Sequence, residues 1–200
     1  MDAAILAGGQ ARRLAGRNKS ALLVGGVSIL QQQLSVLRSV AERVVIVGAR
    51  HPGIDVPGLE IEAVPDLVPG GGALGGLYTA LTAARSPHVL VLACDLPFVS
   101  RAFLRHLATL PGPAHDAIVP RSPDGWQPLC AVYRRALAGR FGERIAAGRL
   151  KIADALADVR VREVGPDEIA SVEPDERLFL NVNTPGDLAQ AIRLLHKTSR

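Results

Sequence analysis

Short apolar runs, bounded by glycine, proline or charge, alternate along the first half of the chain with longer segments whose apolar positions recur every three or four residues. The short runs predict strands and the longer ones helices. Strands are expected at 3–6, 44–47, 60–64, 89–93, 117–119, 129–132, 159–164 and 179–182. Helices are expected at 29–39, 74–84, 102–110, 136–147, in a short piece near 153–156, and at 185–195. Ser100 is placed to cap the third helix. Thr184 followed by Pro185 is a stronger start signal, because threonine caps and proline suits the first helical position. Strand followed by helix three times implies an α/β fold with a mostly parallel sheet flanked by helices, and the run VLVLA has the character of a strand buried on both faces. The second half has shorter elements and more turn residues, as expected of a substrate-facing part built onto the same sheet. No repeat or linker divides the chain, so a single domain over 1–200 is expected.

Composition narrows the class. The 200 residues are 48% apolar and 21% charged, enough to bury a sizeable core. No run approaches the ~20 apolar residues of a membrane helix, and the first strand begins where a signal peptide would lie. A cytoplasmic protein without membrane association is expected. Cys94 and Cys130 sit in the apolar segments VLACDL and PLCAVY, where cysteine acts as a small core residue in a reducing compartment. The net charge of +4, with arginine supplying 20 of the 23 basic residues, favours anionic partners. Those residues are spread along the chain, and Trp126 and the four phenylalanines are not interleaved with them, which argues against nucleic acid. The five histidines show no metal-ligand spacing, so a zinc or iron site is not expected.

The candidate chemistry begins at LAGGQARRLAGRNK, Leu6 to Lys19. Gly8 and Gly9 let the backbone turn sharply at the end of the first strand and present its N–H groups to a ligand. Arg12, Arg13, Arg17 and Lys19 crowd four cations that a nucleoside triphosphate would neutralise; a tight turn followed by a solvated basic loop is the plain alternative. Asn18 before Lys19 breaks the P-loop pattern. Gly70, Gly72 and Gly75 satisfy G-x-G-x-x-G, with Asp95 20 residues beyond. The intervening PDLVP separates them from the preceding strand, and a dinucleotide fingerprint belongs in the first βα unit. Asp95, directly after VLVLA and two residues before Pro97, emerges at the carboxyl edge where open α/β sheets bind ligands. It suits Mg²⁺, which takes one or two carboxylates plus phosphate oxygens, or else serves as a turn aspartate.

These segments together resemble the molybdenum cofactor guanylyltransferase (MobA) family within the nucleotidyltransferase superfamily. The resemblance rests on L-A-G-G-x-x-x-R-L-x-G-x-x-K (Leu6–Lys19), V-P-D before G-A-L-G-G-L, C-D-L-P-F (Cys94–Phe98), and N-V-N-T-P (Asn181–Pro185) followed by Asp187, in the family's order along nearly the whole chain. It implies a Rossmann-like, nucleotide-diphospho-sugar transferase-like fold, with about 1–100 binding nucleotide and about 101–200 facing the acceptor. It further implies that Leu6, Ala7, Gly8 and Gly9 wrap GTP, that Lys19 contacts its phosphates, that Asp66 contacts base or ribose, and that Asp95 binds Mg²⁺ and nucleotide. Asn181 and Asn183 match a motif that falls near the second substrate, molybdopterin, and the metal. Molybdenum-insertion proteins and molybdoenzyme chaperones are implied as transient partners. Two positions depart from the family: Asn18 replaces an aspartate, and Val47 stands where some members carry a nucleotide-contacting asparagine.

The reaction implied is attack of the molybdopterin phosphate on the α-phosphorus of GTP, with Lys19 and Arg13 opposite the leaving pyrophosphate. Gln127, Arg149 and Lys151 are further candidates for the pterin, chosen because they are polar or basic residues of the irregular second half. Cytidylyl or other nucleotidyl transfer, and nucleotide binding without catalysis, remain as alternatives.

Overall fold

The computed structural model describes residues 1–8, 22–48 and 53–198. Its first half contains β1 (Asp2–Leu6), β2 (Leu23–Val24), β3 (Val27–Ser28), α1 (Ile29–Leu37), β4 (Arg43–Val47), β5 (Glu60–Val64), α2 (Gly72–Ala83) and β6 (His88–Ala93). Then come α3 (Arg101–Thr109), β7 (Ala117–Ser122), β8 (Gly125–Trp126), β9 (Cys130–Arg134), α4 (Leu137–Ala146), α5 (Ile152–Ala157), β10 (Val161–Val164), α6 (Pro166–Val172), a 3₁₀ turn (Glu176–Phe179) and α7 (Pro185–Thr198).

The main sheet has the order β10-β7-β9-β6-β1-β4-β5, with β8 paired to β7. β1 pairs in parallel with both β4 and β6, and β4 with β5, while β9 runs antiparallel to β6 and β7. The carboxyl ends of β1, β4, β5 and β6 therefore share one edge. Alternate residues of each strand enter opposite cores, as the two-residue period of a strand requires. Ala3, Ile5, Leu90 and Leu92 face Leu34, Phe103 and Leu107, whereas Ala4, Leu6, Val89 and Val91 face Leu77, Leu81 and Phe141. That is the two-sided burial read from VLVLA.

At the amino edge Arg43 is 5% exposed and pairs with Asp2 at 3.0 Å and with Glu62. Burial pushes the Asp2 carboxyl up, but hydrogen bonds from the Ser86 hydroxyl and the Arg85 and Ser86 amides, together with the charge of Arg43, outweigh it and hold Asp2 below the usual carboxylate range. The Cys130 thiol is fully buried and pushed up to about 12, so Cys130 serves as core.

The expected strand at 179–182 does not form. Residues Glu176–Phe179 make the 3₁₀ turn, and the segment beyond lies against the turn after β6, where the Val182 amide donates to the Asp95 carbonyl at 2.9 Å. Both outer strands of the sheet, β5 and β10, lie elsewhere, so the segment has no ladder to join. The β2–β3 hairpin, β8 and α6 are additional to the expected elements. Both predicted caps are present: Ser100 Oγ accepts from the Phe103 amide at 3.1 Å and Thr184 Oγ1 from the Asp187 amide at 3.1 Å. No helix among the described residues is long and apolar enough to cross a membrane.

Candidate active site

β1 delivers the first part of the site. Leu6 ends the strand, the Ala7 amide donates to the Val47 carbonyl at 2.9 Å, and Gly8 follows at the carboxyl edge. A Cβ built on Gly8 would stand 3.5 Å from Asp66 Oδ2 and 3.8 Å from the Val47 carbonyl oxygen, filling the space between strand end and carboxylate. The glycine thus leaves a cradle that a larger residue would occupy. Gly9, Arg12, Arg13, Arg17, Asn18 and Lys19 lie outside the described residues.

Asp66 stands just beyond β5, and two groups fix it. Its Oδ1 accepts from the Val68 amide at 3.0 Å, closing a local Asx turn, and lies 3.2 Å from the Thr79 hydroxyl of α2. Thr79 is buried, accepts from the Leu67 amide at 3.1 Å, and shares its single proton between Asp66 and the Gly75 carbonyl. With Oδ1 so held, Oδ2 faces Gly8. Of the glycines that mimic a dinucleotide fingerprint, Gly75 has a packing role together with its neighbour Gly76: a Cβ on Gly75 would lie 3.2 Å from the Val68 carbonyl oxygen, and one on Gly76 3.3 Å from Leu6 Cδ1. They let α2 close tightly against β1 and the Asp66 turn.

Asp95 follows β6 and is half-buried. The backbone around it is anchored from several sides: the Cys94 amide donates to the Leu6 carbonyl at 3.2 Å, and the Ala93 amide to the Leu129 carbonyl at 2.7 Å. Leu6, Gly8, Val47, Asp66, Gly76 and Asp95 line one cavity of about 230 Å³ at the carboxyl edge. The sheet therefore brings together three motifs separated widely in sequence.

The acceptor-half candidates divide. Asn181 and Asn183 flank Val182, whose amide is bonded to the Asp95 carbonyl, so the N-V-N segment is docked on the Asp95 turn. Asp187 Oδ2 accepts from the Asn183 and Thr184 amides at 2.9 and 2.8 Å, completing a reciprocal cap that holds the segment at the start of α7. Arg177, bidentate to Asp175, lies 5.0 Å from the ring centroid of Phe98, three residues past Asp95. Gln127 instead donates to Ser122 Oγ at 2.8 Å inside the β7–β8 hairpin. Arg149 lines a separate cavity of about 160 Å³ with Arg140 and Arg144, and Lys151 is exposed ahead of α5. None of these three lines the Asp95 cavity.

Sequence reading missed Thr79 and Gln33. Gln33 is fully buried on α1 and donates through Nε2 to the carbonyls of Ala93 (2.7 Å) and Leu96 (3.1 Å). The available signal was a glutamine standing where the helical period expects an apolar residue.

The donor set fits a hard divalent cation. Two aspartates line the cavity, while no group of three or more His, Cys, Asp or Glu suited to a metal occurs among the described residues. One or two carboxylates completed by phosphate oxygens is the arrangement Mg²⁺ takes, and it is unlike a closed zinc site.

Residues 3–177 match the model of the MobA-like NTP transferase domain. A probable molybdenum cofactor guanylyltransferase of Pelotomaculum thermopropionicum is 36% identical, over 98% of this chain and 93% of its own. The molybdenum cofactor guanylyltransferase of Desulfosudis oleivorans is 32% identical, over 94% and 92%. The crystal structure of molybdopterin-guanine dinucleotide biosynthesis protein A from Archaeoglobus fulgidus superposes with a TM-score of 0.77 at 26% identity, covering 98% of this chain and all of that one. With the cavity at the carboxyl edge and the matching motifs ranged around it, the chain belongs to the MobA-like NTP transferase family.

Proposed function

We propose that the protein transfers GMP from GTP to the terminal phosphate of molybdopterin, releasing pyrophosphate and forming molybdopterin guanine dinucleotide. The observation that carries this is the convergence of Gly8, Asp66 and Asp95 on one cavity, with the Asn181–Asn183 segment docked beside Asp95. The names and coverage of the relatives support the same chemistry. In this reading residues up to about 100 hold the nucleotide and the remainder faces the acceptor.

The reaction joins two polyanions. An oxygen of the molybdopterin phosphate bonds to the α-phosphorus, the bond from that phosphorus to the bridging oxygen breaks, and pyrophosphate leaves with the electron pair. A phosphate monoester, with a second pKa of about 6, is largely dianionic at neutral pH and needs no strong base. The chain's task is alignment and charge neutralisation. Gly8, with Gly9, gives the triphosphate close approach to the backbone, and Asp66, fixed through Oδ1, offers Oδ2 to the guanine N1–H and amino group or to the ribose. Lys19 and Arg13 act on the charge that grows on the departing pyrophosphate. Asp95 would hold Mg²⁺, which when bound offsets the charge of the triphosphate. Asn181 and Asn183 are assigned to the acceptor side because their segment is tied to the Asp95 turn; Gln127, Arg149 and Lys151 receive no such support.

Val47 bears on the choice of base, since it places an apolar side chain in the cavity wall where some family members carry a nucleotide-contacting asparagine. The test is pyrophosphate release with GTP, CTP and ATP, each with and without molybdopterin. Release dependent on molybdopterin and fastest with GTP is expected. Equal rates with CTP would remove the guanine assignment, and release independent of molybdopterin would remove the acceptor.

A further inference from the structure

The apolar stripe of α1 buries Ile29, Leu30, Leu34 and Leu37, and Gln33 lies within that stripe at 0% exposure. A leucine or methionine there would continue the core. The glutamine instead sends Nε2 across to the end of β6, where the carbonyls of Ala93 and Leu96 both accept from it. Two carbonyl acceptors fix the orientation of the amide, because only its NH₂ end can donate. Its Oε1 is buried and accepts no hydrogen bond among the described residues. A buried acceptor without a partner is destabilising, so packing alone does not account for this residue.

The two carbonyls that Gln33 grips bracket Asp95. Around the same turn the Cys94 amide is held by β1 and the Asp95 carbonyl by Val182. The turn is thus anchored from β1, from α1 and from the segment before α7. The neighbouring residue on α1 extends the connection: Gln32 Nε2 donates to the carbonyls of Val24 (2.6 Å) and Val27 (3.2 Å). Consecutive glutamines therefore tie one helix to the β2–β3 hairpin on one side and to the Asp95 turn on the other.

We propose that Gln33 is a positioning residue that fixes the 93–96 turn so that Asp95 holds its carboxylate at the depth needed to bind the divalent cation with GTP. The proposal rests on the reading of Asp95 as a metal-binding residue. Gln33 touches neither substrate nor metal. It acts by denying the turn the freedom to rotate Asp95 out of the cavity, so its loss weakens metal binding and turnover while leaving the nucleotide cradle at Gly8 and Asp66 in place.

The test compares Gln33→Met, which keeps length and apolar volume but removes both donors, with Asp95→Asn and the parent protein. Mn²⁺ binding in the presence of GTP is followed by electron paramagnetic resonance, alongside kcat, the KM for GTP at saturating metal, and thermal melting. For Gln33→Met, Mn²⁺ affinity and kcat are each expected to fall about tenfold or more with the KM for GTP near that of the parent; a residue with only a structural role would lower the melting temperature while leaving Mn²⁺ affinity and kcat of the folded protein unchanged. Parent-like Mn²⁺ affinity and kcat in Gln33→Met, with both lost in Asp95→Asn, would overturn the role of Gln33 alone. Parent-like Mn²⁺ affinity in Asp95→Asn would overturn the reading beneath it. Should Gln33→Met fail to fold, Gln33→Leu takes its place, and failure of both makes Gln33 a residue of the core and ends the proposal.

Discussion

At the amino edge of the sheet, Asp2 accepts four hydrogen bonds, from Arg43, from the Arg85 and Ser86 amides and from the Ser86 hydroxyl. At the carboxyl edge, Asp66 has one oxygen fixed by Val68 and Thr79 while the other faces Gly8, and Asp95 lines the same cavity. The same residue type, at opposite edges of the same sheet, is enclosed in one case and borders a cavity in the other. Asp2 is surrounded by donors on β4 and the α2–β6 connection, so its charge is used within the protein. Asp66 and Asp95 have their surroundings braced, through Thr79, Gln33 and Val182, in a way that leaves room beside them. A carboxylate available to a ligand is recognised less by its own position than by whether its neighbours fix it without enclosing it.

This contrast breaks most visibly at Asp95. Asp95→Asn keeps size and removes charge, and transfer should fall by more than about 10³-fold, at or beyond the upper range for losing one group that stabilises transition-state charge. The melting temperature should fall far less than turnover does; a folded variant with near-normal turnover would place Asp95 outside the chemistry. Asp2→Ala should do the reverse. Removing one partner of a buried ion pair leaves Arg43 with less compensation and costs about 3–5 kcal/mol of stability, read by urea unfolding, with turnover of the remaining folded protein unchanged. The sign with pH follows from the depressed ionisation of Asp2: its contribution is full above about pH 4 and is lost as pH falls toward its folded value. The acid limb of the parent's stability curve should therefore be shallower in Asp2→Ala.

Lys19→Ala sharpens the catalytic side. Charge on pyrophosphate grows as the bond breaks, so kcat should fall by the equivalent of about 2.7–4 kcal/mol while nucleotide affinity changes less. A rise in KM with kcat intact would make Lys19 a ground-state anchor. Thr79→Val, nearly the same shape without the hydroxyl, should have the smallest effect. It loosens Asp66 but leaves the Val68 bond, so the KM for GTP should rise about fivefold, the worth of a hydrogen bond of about 1 kcal/mol, with kcat held. No change in KM would mean that the Val68 amide alone positions Asp66.

Much of this was legible from the chain itself. The alternation of strand and helix, the two-sided strand VLVLA and the caps at Ser100 and Thr184 are local features, and local features are what periodicity and capping rules detect. The β2–β3 hairpin and β8 have strands of two residues, too short to show any period. Helix α6 carried start signals in Pro166, Asp167 and Glu168 but only a short apolar pattern. The segment at 179–182 has a strand's composition, yet its Val182 amide pairs with the turn after β6 rather than with an outer strand, and a sequence does not display where a segment will dock. In the site, glycines and aspartates next to strand ends were readable because strand polarity alone places them at the carboxyl edge. Gln33 and Thr79 were not, because their roles depend on which carbonyl or carboxylate another element brings opposite them, 60 residues away in the case of Gln33 and Ala93.

The fate of the α-phosphate reports the transfer most directly. The protein is incubated with GTP labelled at the α-phosphorus, molybdopterin and Mg²⁺, and the products are separated. The label is expected to move quantitatively into molybdopterin guanine dinucleotide, with one unlabelled pyrophosphate released per transfer. Label recovered as free GMP, or retained in GTP while CTP supplies the nucleotide instead, would contradict it.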